Sequence, residues 1–335
     1  MRCFMEYAIQ LRHTGDVRHT GDVRHTGDVS GLQQIAWQVS PPGKGEVCVR
    51  HLGVGANFID IYHRTGLYPL AAPFILGVDG VGVIESVGAA VSGLSVGQVV
   101  AYAGLPGAYA TTRTLPAWKA VPVPDGVDLD FVAGGLLRAV TAHMLFHCVY
   151  RIQPGDVVFI HAIAGGLGSI LGQWGKHLGA QVIGTASTAE KAAYAYGLGA
   201  DHVIVGRDAD IVADMNKLTQ GMGAHYTIDG IGGDMVQNSL QCTRHFGMVA
   251  SIGQVAGNVA PLAMAELGCR GFSRPSVMAY TANQELYHAA MQETLHMMHT
   301  SLKSPAQNIY SMQDAAKAHV DLETGRTKGL LILKP

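Results

Sequence analysis

Pro154-Gly155-Asp156-Val157-Val158-Phe159-Ile160-His161-Ala162-Ile163-Ala164-Gly165-Gly166-Leu167-Gly168 is the stretch on which the reading of this chain turns. Pro-Gly marks a turn. The short apolar run after it, bounded by turn signals, predicts a buried strand. A glycine-rich bend and the start of a helix follow. A helix N-terminus offers unpaired N–H groups and a positive dipole end to a phosphate. Glycines at the bend remove the Cβ atoms that would hold a pyrophosphate away from the backbone. The strict G-x-G-x-x-G pattern is broken, because Ile163 holds the first glycine position and Gly165 and Gly168 the second and third. Alone, such a match fits a tight turn as well as a dinucleotide loop. The clean strand before it, the helix after it and the distance to the next strand favour the dinucleotide.

Downstream the pattern alternates. Strands are expected at Val157–His161, Gln181–Thr185, His202–Val205, Tyr226–Asp229 and Gly247–Ile252, with helices at Leu167–Leu178, Ala189–Leu198, Ala209–Leu218 and Met235–Leu240. This is a βα series of the doubly wound type, ending near Gly271. A helix over Glu285–Ser301 and a strand over Gly329–Leu333, returning to the first domain, complete the chain. A protein that holds a ribose 2′-hydroxyl usually places Asp or Glu at the end of the second strand. Here that end reads Gly184-Thr185-Ala186-Ser187-Thr188, with Glu190 beside Lys191. Small hydroxyl residues plus a lysine suit a 2′-phosphate, which favours NADPH over NADH; Lys191 as an ordinary solvated helix residue is the competing reading. Upstream, Leu32–Val39, Glu46–Leu52 and segments 74–88 and 96–102 read as short strands with glycines at the bends. Residues 1–125 therefore predict a β-rich, barrel-like domain, followed by one or two helices over Ala133–Tyr150.

At 335 residues the chain is long enough for two domains. It is 48% hydrophobic and 14% charged, which excludes a disordered chain. A formal net charge of −2, with no block of like charges, speaks against a nucleic-acid surface. Cys3, Cys48, Cys148, Cys242 and Cys269 lie far apart without a CxxC pair, so neither a disulfide framework nor a structural zinc lobe is expected. A reducing, cytoplasmic setting is expected. The early Glu6 does not suit a signal peptide. Residues 157–175 carry no formal charge, yet their glycines and strand-to-helix change indicate a globular core rather than a membrane span. Residues 12–29 are three copies of Arg-His-Thr-Gly-Asp-Val. Their histidines (His13, His19, His25) and aspartates offer metal donors, but a tandem duplication lengthening one surface hairpin loop is the favoured reading.

A second constellation lies in the β-rich part: Gly55-Ala56-Asn57-Phe58-Ile59-Asp60-Ile61-Tyr62-His63-Arg64-Thr65-Gly66-Leu67-Tyr68-Pro69. Read alone, Tyr62 and Tyr68 are core or rim aromatics and Asp60 a turn or cap residue. The stretch resembles the active-site segment of the zinc-independent, zeta-crystallin-like quinone oxidoreductases of the medium-chain dehydrogenase/reductase superfamily. Leu76-Gly77-Val78-Asp79-Gly80-Val81-Gly82, Gly107-Ala108-Tyr109-Ala110, the glycine loop, Arg274-Pro275-Ser276 and Thr324-Gly325-Arg326-Thr327-Lys328-Gly329 carry the resemblance along nearly the whole chain, the repeat excepted.

The resemblance implies an α/β fold: a GroES-like β-rich catalytic domain (1–135), a Rossmann-type doubly wound parallel sheet binding the cofactor (136–271), and a segment (272–335) returning to the first domain. It also implies a cleft between the domains and a homodimer. Carried over by position, Asn57 serves the nicotinamide ribose or ring, Tyr62 and Tyr68 line the substrate side, and Asp60 holds the segment in place. Arg138 and Thr141 match an Arg-x-x-Thr element near the nicotinamide, Gly253 and Gln254 a loop closing over it, and Arg274 a substrate-pocket arginine. The cofactor set is Asn57, Arg138, Thr141, Ala164, Gly165, Gly166, Leu167, Gly168, Thr188, Lys191, Arg207, Gly253, Gln254 and Arg326. Zinc-dependent relatives carry Gly-His-Glu where this chain has Gly77-Val78-Asp79, and Cys48 precedes no compatible set, so no zinc is expected. Many relatives place a tyrosine before the phosphate-subsite arginine; here Gly206 precedes Arg207.

The implied activity is NADPH-dependent hydride transfer to a quinone or related conjugated carbonyl. An alkenal or other activated-alkene (enone) reductase is the neighbouring alternative. From a different class, the alternative is an NADPH-binding sensor, RNA-binding or structural protein with little turnover. Neither a membrane nor a nucleic-acid partner is expected.

Overall fold

Apolar β-branched runs flanked by glycine turns form two groups of strands in the computed structural model, which describes residues 6–12 and 27–335. The Arg-His-Thr-Gly-Asp-Val repeat lies almost wholly outside the described residues. The chain divides into two units: residues 1–140, 278–300 and 306–335 form the first, and 141–277 with 301–305 the second.

In the first unit Glu46–Gly55 is the hub strand. It pairs antiparallel with Asp79–Val87, Thr112–Pro116 and Leu330–Lys334, and the last of these pairs in parallel with Gln307–Ser311. Val99–Ala103 and Val121–Pro122 continue the sheet on the other side. Tyr7–Leu11 joins Leu32–Ala36 and Phe74–Ile75 in a smaller sheet. Val47, Val49, Val54, Tyr102, Leu331 and Leu333 are fully buried in the core between these elements. The helices Phe58–Thr65 and Ala315–Glu323 also belong to this unit. Neither was legible as a helix from the sequence. Phe58–Thr65 spans barely two turns and buries Asp60, His63 and Arg64, polar residues that a sequence reading assigns to a solvated turn.

In the second unit six strands form a parallel sheet in the spatial order His202–Val205, Gln181–Ala186, Val157–Ile160, Ala224–Asp229, Thr243–Ser251, Gly271–Ser273. The reversal of strand order beside Val157–Ile160 is the switch point at which open α/β sheets bind ligands. Helices cover the sheet; Gly166–His177 buries Ile170, Leu171 and Trp174 on one side. The apolar segment 157–175 is thus a strand, a bend and a helix rather than a span. The helical stretch Leu129–Val149 is long and apolar enough to cross a membrane by length and composition, and most of it is buried within the protein. Its last turn, Leu145–Val149, is π-helical.

Candidate functional site

Asn57 stands in extended conformation at the N-terminus of the helix Phe58–Thr65. The Asp60 carboxylate reaches back one turn, and its Oδ2 accepts from the Asn57 backbone N–H at 2.8 Å. This is half of a capping box, so the carboxylate that holds the segment is also its helix cap. Asn57 Nδ2 donates to Asp79 Oδ1 at 2.8 Å, and the Leu137 N–H donates to Asp79 Oδ2 at 3.1 Å. The amide of Asn57 is thereby oriented, and its Oδ1 is buried with no hydrogen-bond partner. A buried acceptor in that condition costs stability until a donor arrives. Asp60 and Asp79 have no solvent exposure. Burial, with Asp79 adding repulsion, pushes Asp60 up to about 7. Burial pushes Asp79 up to about 6, against the opposing pull of the Arg138 guanidinium.

Arg138 is buried, donating Nη2–H to the Ala56 carbonyl at 2.7 Å and Nη1–H to the Gly134 carbonyl. It fixes the carbonyl just before Asn57 and partly balances the two carboxylates. Tyr62 is 5% exposed and packs edge-on against half-buried Tyr68, with ring centroids 5.2 Å apart. The Tyr68 N–H donates to the Tyr62 carbonyl at 3.1 Å, so both tyrosines stand at one end of the same helix. Asn57, Asp60, Tyr62, Tyr68 and Arg138 are therefore gathered in the first unit. Arg326, in the same unit, is exposed and lies 3.7 Å from Asp321.

The second unit holds the glycine loop. The helix Gly166–His177 begins at Gly165 without any side-chain cap, leaving its first-turn N–H groups to an anion. Ala162 carries the strain of the bend at φ +51°, and its N–H donates to Thr185 Oγ1 at 3.0 Å. A Cβ at Gly168 would stand 2.4 Å from the Ala162 carbonyl oxygen, so the third glycine permits close helix–strand contact. Ile163, for which the sequence offered no function, is buried at 2% exposure beside Gly184. A Cβ on Gly184 would meet the Ile163 Cβ at 2.5 Å. Ile163 therefore fills the space that a glycine leaves in the neighbouring strand.

Thr188 caps the helix Ala189–Gly197, its Oγ1 accepting from the Lys191 N–H at 3.2 Å. Burial and the nearby Arg207 guanidinium lower Lys191. Lys191, on the helix after the second strand, and Arg207, after the third, thus lie close enough for their charges to interact, and positive charge there suits a phosphate. Arg274 Nη2 donates to Gln254 Oε1 at 3.1 Å, joining two of the sequence candidates. Gly253 sits where a Cβ would meet the Gly230 carbonyl at 2.2 Å. Thr141, Ala164, Gly166 and Leu167 also belong to this unit.

A dinucleotide phosphate fits these residues on two observations, the uncapped glycine-rich helix start and the Lys191–Arg207 pair. A catalytic zinc does not fit at Asp79, because both carboxylate oxygens already accept hydrogen bonds and a guanidinium stands beside them. Sequence reasoning missed Arg64, Tyr109 and His319, which join Asp60 in one buried network. Tyr109 carried only a motif match, and His319, far along the chain, carried no signal at all.

Comparison with known proteins adds the following. A family model described as "Alcohol dehydrogenase GroES-like domain" matches residues 43–125, and one described as "Zinc-binding dehydrogenase" matches residues 166–296. The chain is 37% identical to a 2-haloacrylate reductase of a Burkholderia species, covering 91% of this chain and 96% of that protein. It is 33% identical to quinone oxidoreductase 1 of Escherichia coli, covering 91% and 95%. Among solved structures, a Pseudomonas syringae quinone oxidoreductase superposes with a TM-score of 0.91 at 34% identity, covering 99% of this chain and all of that one. The Escherichia coli quinone oxidoreductase complexed with NADPH gives 0.89 at 30% identity, covering 98% and 100%.

Proposed function

This chain belongs to the zinc-independent quinone oxidoreductase family of the medium-chain dehydrogenase/reductase superfamily, and from that premise we propose that it is an NADPH-dependent reductase of quinones and related conjugated carbonyls. The observation that carries the cofactor choice is the second strand's end, which has no acidic residue until Glu190, with Lys191 on the helix that follows and the Arg207 charge near it. The backbone N–H groups of Gly166, Leu167 and Gly168 would hold the pyrophosphate at the uncapped helix start, where the Gly165 N–H is already bound to the Ala162 carbonyl, and Lys191 and Arg207 would hold the 2′-phosphate. Bound NADPH supplies the hydride.

The chain's own contribution is mainly orientation and proton supply. Asn57, fixed by Asp60 through its backbone and by Asp79 through its amide, presents Oδ1 as an acceptor to the nicotinamide end of the cofactor. Tyr62 provides the proton for the substrate oxygen or carbon, and Tyr68, packed edge-on against it, limits its rotation. A conjugated acceptor needs no Lewis acid, since conjugation disperses the charge left by an arriving hydride. Four cysteines among the described residues are unpaired, in keeping with a reducing, cytoplasmic setting, and a homodimer follows the family's usual assembly.

The test is NADPH against NADH oxidation over a panel of quinones and enones, with Tyr62→Phe alongside. NADPH is expected to be preferred, and Tyr62→Phe to lower turnover roughly 10²-fold or more while leaving NADPH affinity within about twofold. Cofactor binding without oxidation by any acceptor would overturn the enzymatic reading in favour of a sensor or structural role. The 37% identity to a 2-haloacrylate reductase supports a second reading, reduction of an activated C=C bond. Faster turnover of 2-haloacrylates or enones than of quinones decides for it.

A further inference from the structure

One buried chain of hydrogen bonds runs from the surface of the first unit to the helix cap at Asn57. Glu323, 30% exposed in its side chain, pairs with Arg64 Nη2 at 2.6 Å, while Arg64 is only 4% exposed. Arg64 Nη1 lies 3.0 Å from His319 Nδ1. His319 Nε2 lies 3.1 Å from the Tyr109 hydroxyl, and that hydroxyl lies 3.1 Å from Asp60 Oδ2. Asp60 Oδ2 also accepts the Asn57 N–H. A third Arg64 donor, Nε–H, binds the Gly27 carbonyl at 2.6 Å.

The chemistry of the donors fixes the direction of this chain. A guanidinium can only donate, so His319 Nδ1 must accept and carries no proton. The neutral imidazole then bears its hydrogen on Nε2 and donates to the Tyr109 oxygen. The single tyrosine hydrogen is left to point at Asp60. Burial and the adjacent Arg64 charge hold His319 down to about 3, which keeps the ring neutral and this polarity in force. The links from Arg64 through His319 and Tyr109 to Asp60 are all buried, and none of Arg64, Tyr109 and His319 belongs to the residues read as touching cofactor or substrate.

We propose that Arg64, His319 and Tyr109 are positioning residues that act through Asp60 to hold Asn57 for the nicotinamide end of the cofactor. The inference rests on the functional reading above. Tyr109 supplies the second donor on Asp60 Oδ2; without it the carboxylate is free to swing away from the Asn57 N–H. His319 selects the hydrogen that Tyr109 turns toward Asp60, and Arg64 selects the tautomer of His319. No proton needs to move along the chain; its function is orientation.

The test compares two ligands on the intact protein. NADPH senses the nicotinamide end, whereas 2′,5′-ADP lacks that end and reports only on the phosphate and adenine subsites. Tyr109→Phe and His319→Phe are each expected to weaken NADPH at least fivefold while leaving 2′,5′-ADP within twofold. His319→Gln, which offers both an acceptor and a donor, is expected to restore most of the difference. Nitrogen-15 NMR of wild-type protein is expected to show His319 as the neutral Nε2–H tautomer from pH 5 to 8. Unchanged NADPH affinity in folded Tyr109→Phe, equal weakening of both ligands, or a His319 protonated on Nδ1 would each overturn the proposal. If His319→Phe fails to fold, Tyr109→Phe, which removes one hydroxyl, and the tautomer measurement decide. Wild-type protein that binds NADPH but reduces no acceptor defeats the functional reading alone, and the affinity ratio still judges the positioning chain.

Discussion

Ile163 and Gly184 form a coupled pair. The glycine-loop residue that breaks the dinucleotide fingerprint owes its place to the strand beside it, because its side chain occupies the volume that Gly184 leaves open. Interiors are packed densely enough that an added methyl group cannot be absorbed without displacement. Gly184→Ala is therefore expected to destabilise the second unit by about 1–3 kcal/mol. Adding Ile163→Gly, which removes the Cβ that the new methyl would meet, should recover part of that loss, and a double-mutant cycle in urea unfolding measures the coupling. Strictly additive changes would show that the two side chains do not compete for one space. At the same scale, the Asn57 side-chain amide commits its Nδ2 to Asp79 and leaves Oδ1 a buried acceptor without a partner.

Elements show a different balance between sequence and packing. The helix Gly166–His177 announced itself through its glycines, and they differ in what they require. Gly168 faces the Ala162 carbonyl at a distance no Cβ tolerates, whereas at Gly172 a Cβ would make ordinary contacts at 3.6 Å with Ile163. Gly168→Ala should push the helix off the strand, abolish measurable NADPH binding and lower stability. Gly172→Ala should preserve binding and gain up to about 1 kcal/mol from helix propensity. Isothermal titration and urea unfolding of the two variants check this, and comparable NADPH affinity in both would refute the close-packing account. The helix Phe58–Thr65 shows the opposite case. Asp60 was readable as a cap residue in the sequence, but eight residues are too few to separate a helical period from a turn, and the buried Asp60, His63 and Arg64 read as solvated positions.

For the molecule as a whole, the first unit folds around ionisable groups that burial shifts in opposing directions. Burial raises Asp60 to about 7 and Asp79 to about 6, so the folded state keeps protons that the unfolded chain loses near pH 4. Their contribution is full at low pH and declines as pH rises through 6 and 7. Burial lowers His51 and His63 to about 4 and His319 to about 3, so these three favour the fold above pH 6.5 and oppose it as pH falls. Asp60→Asn removes one carboxylate and leaves the histidines in place. Its stability relative to wild type should therefore rise with pH from about 4 to about 7, by roughly 2–4 kcal/mol for a fully buried carboxylate. Urea unfolding at half-unit pH steps measures the slope, and a difference that stays level with pH would show that Asp60 does not titrate in the folded state.

What the sequence determined by itself was local or periodic. The alternation of apolar runs and helix patterns specified the doubly wound sheet, the glycine run specified a tight strand-to-helix bend with an uncapped helix start, and the acid-free strand end with Lys191 pointed to a 2′-phosphate. These signals are written in consecutive residues, since turn chemistry, strand burial and helix starts depend on near neighbours. Tertiary structure decided the rest. It showed Arg138 gripping the Ala56 and Gly134 carbonyls, and Ile163 filling the space beside Gly184. It also brought His319 to Tyr109 across 210 positions and Arg64 to His319 across 255. Hydrogen-bond partners at such separations leave no periodic trace, because only the folded backbone brings donor and acceptor within 3 Å.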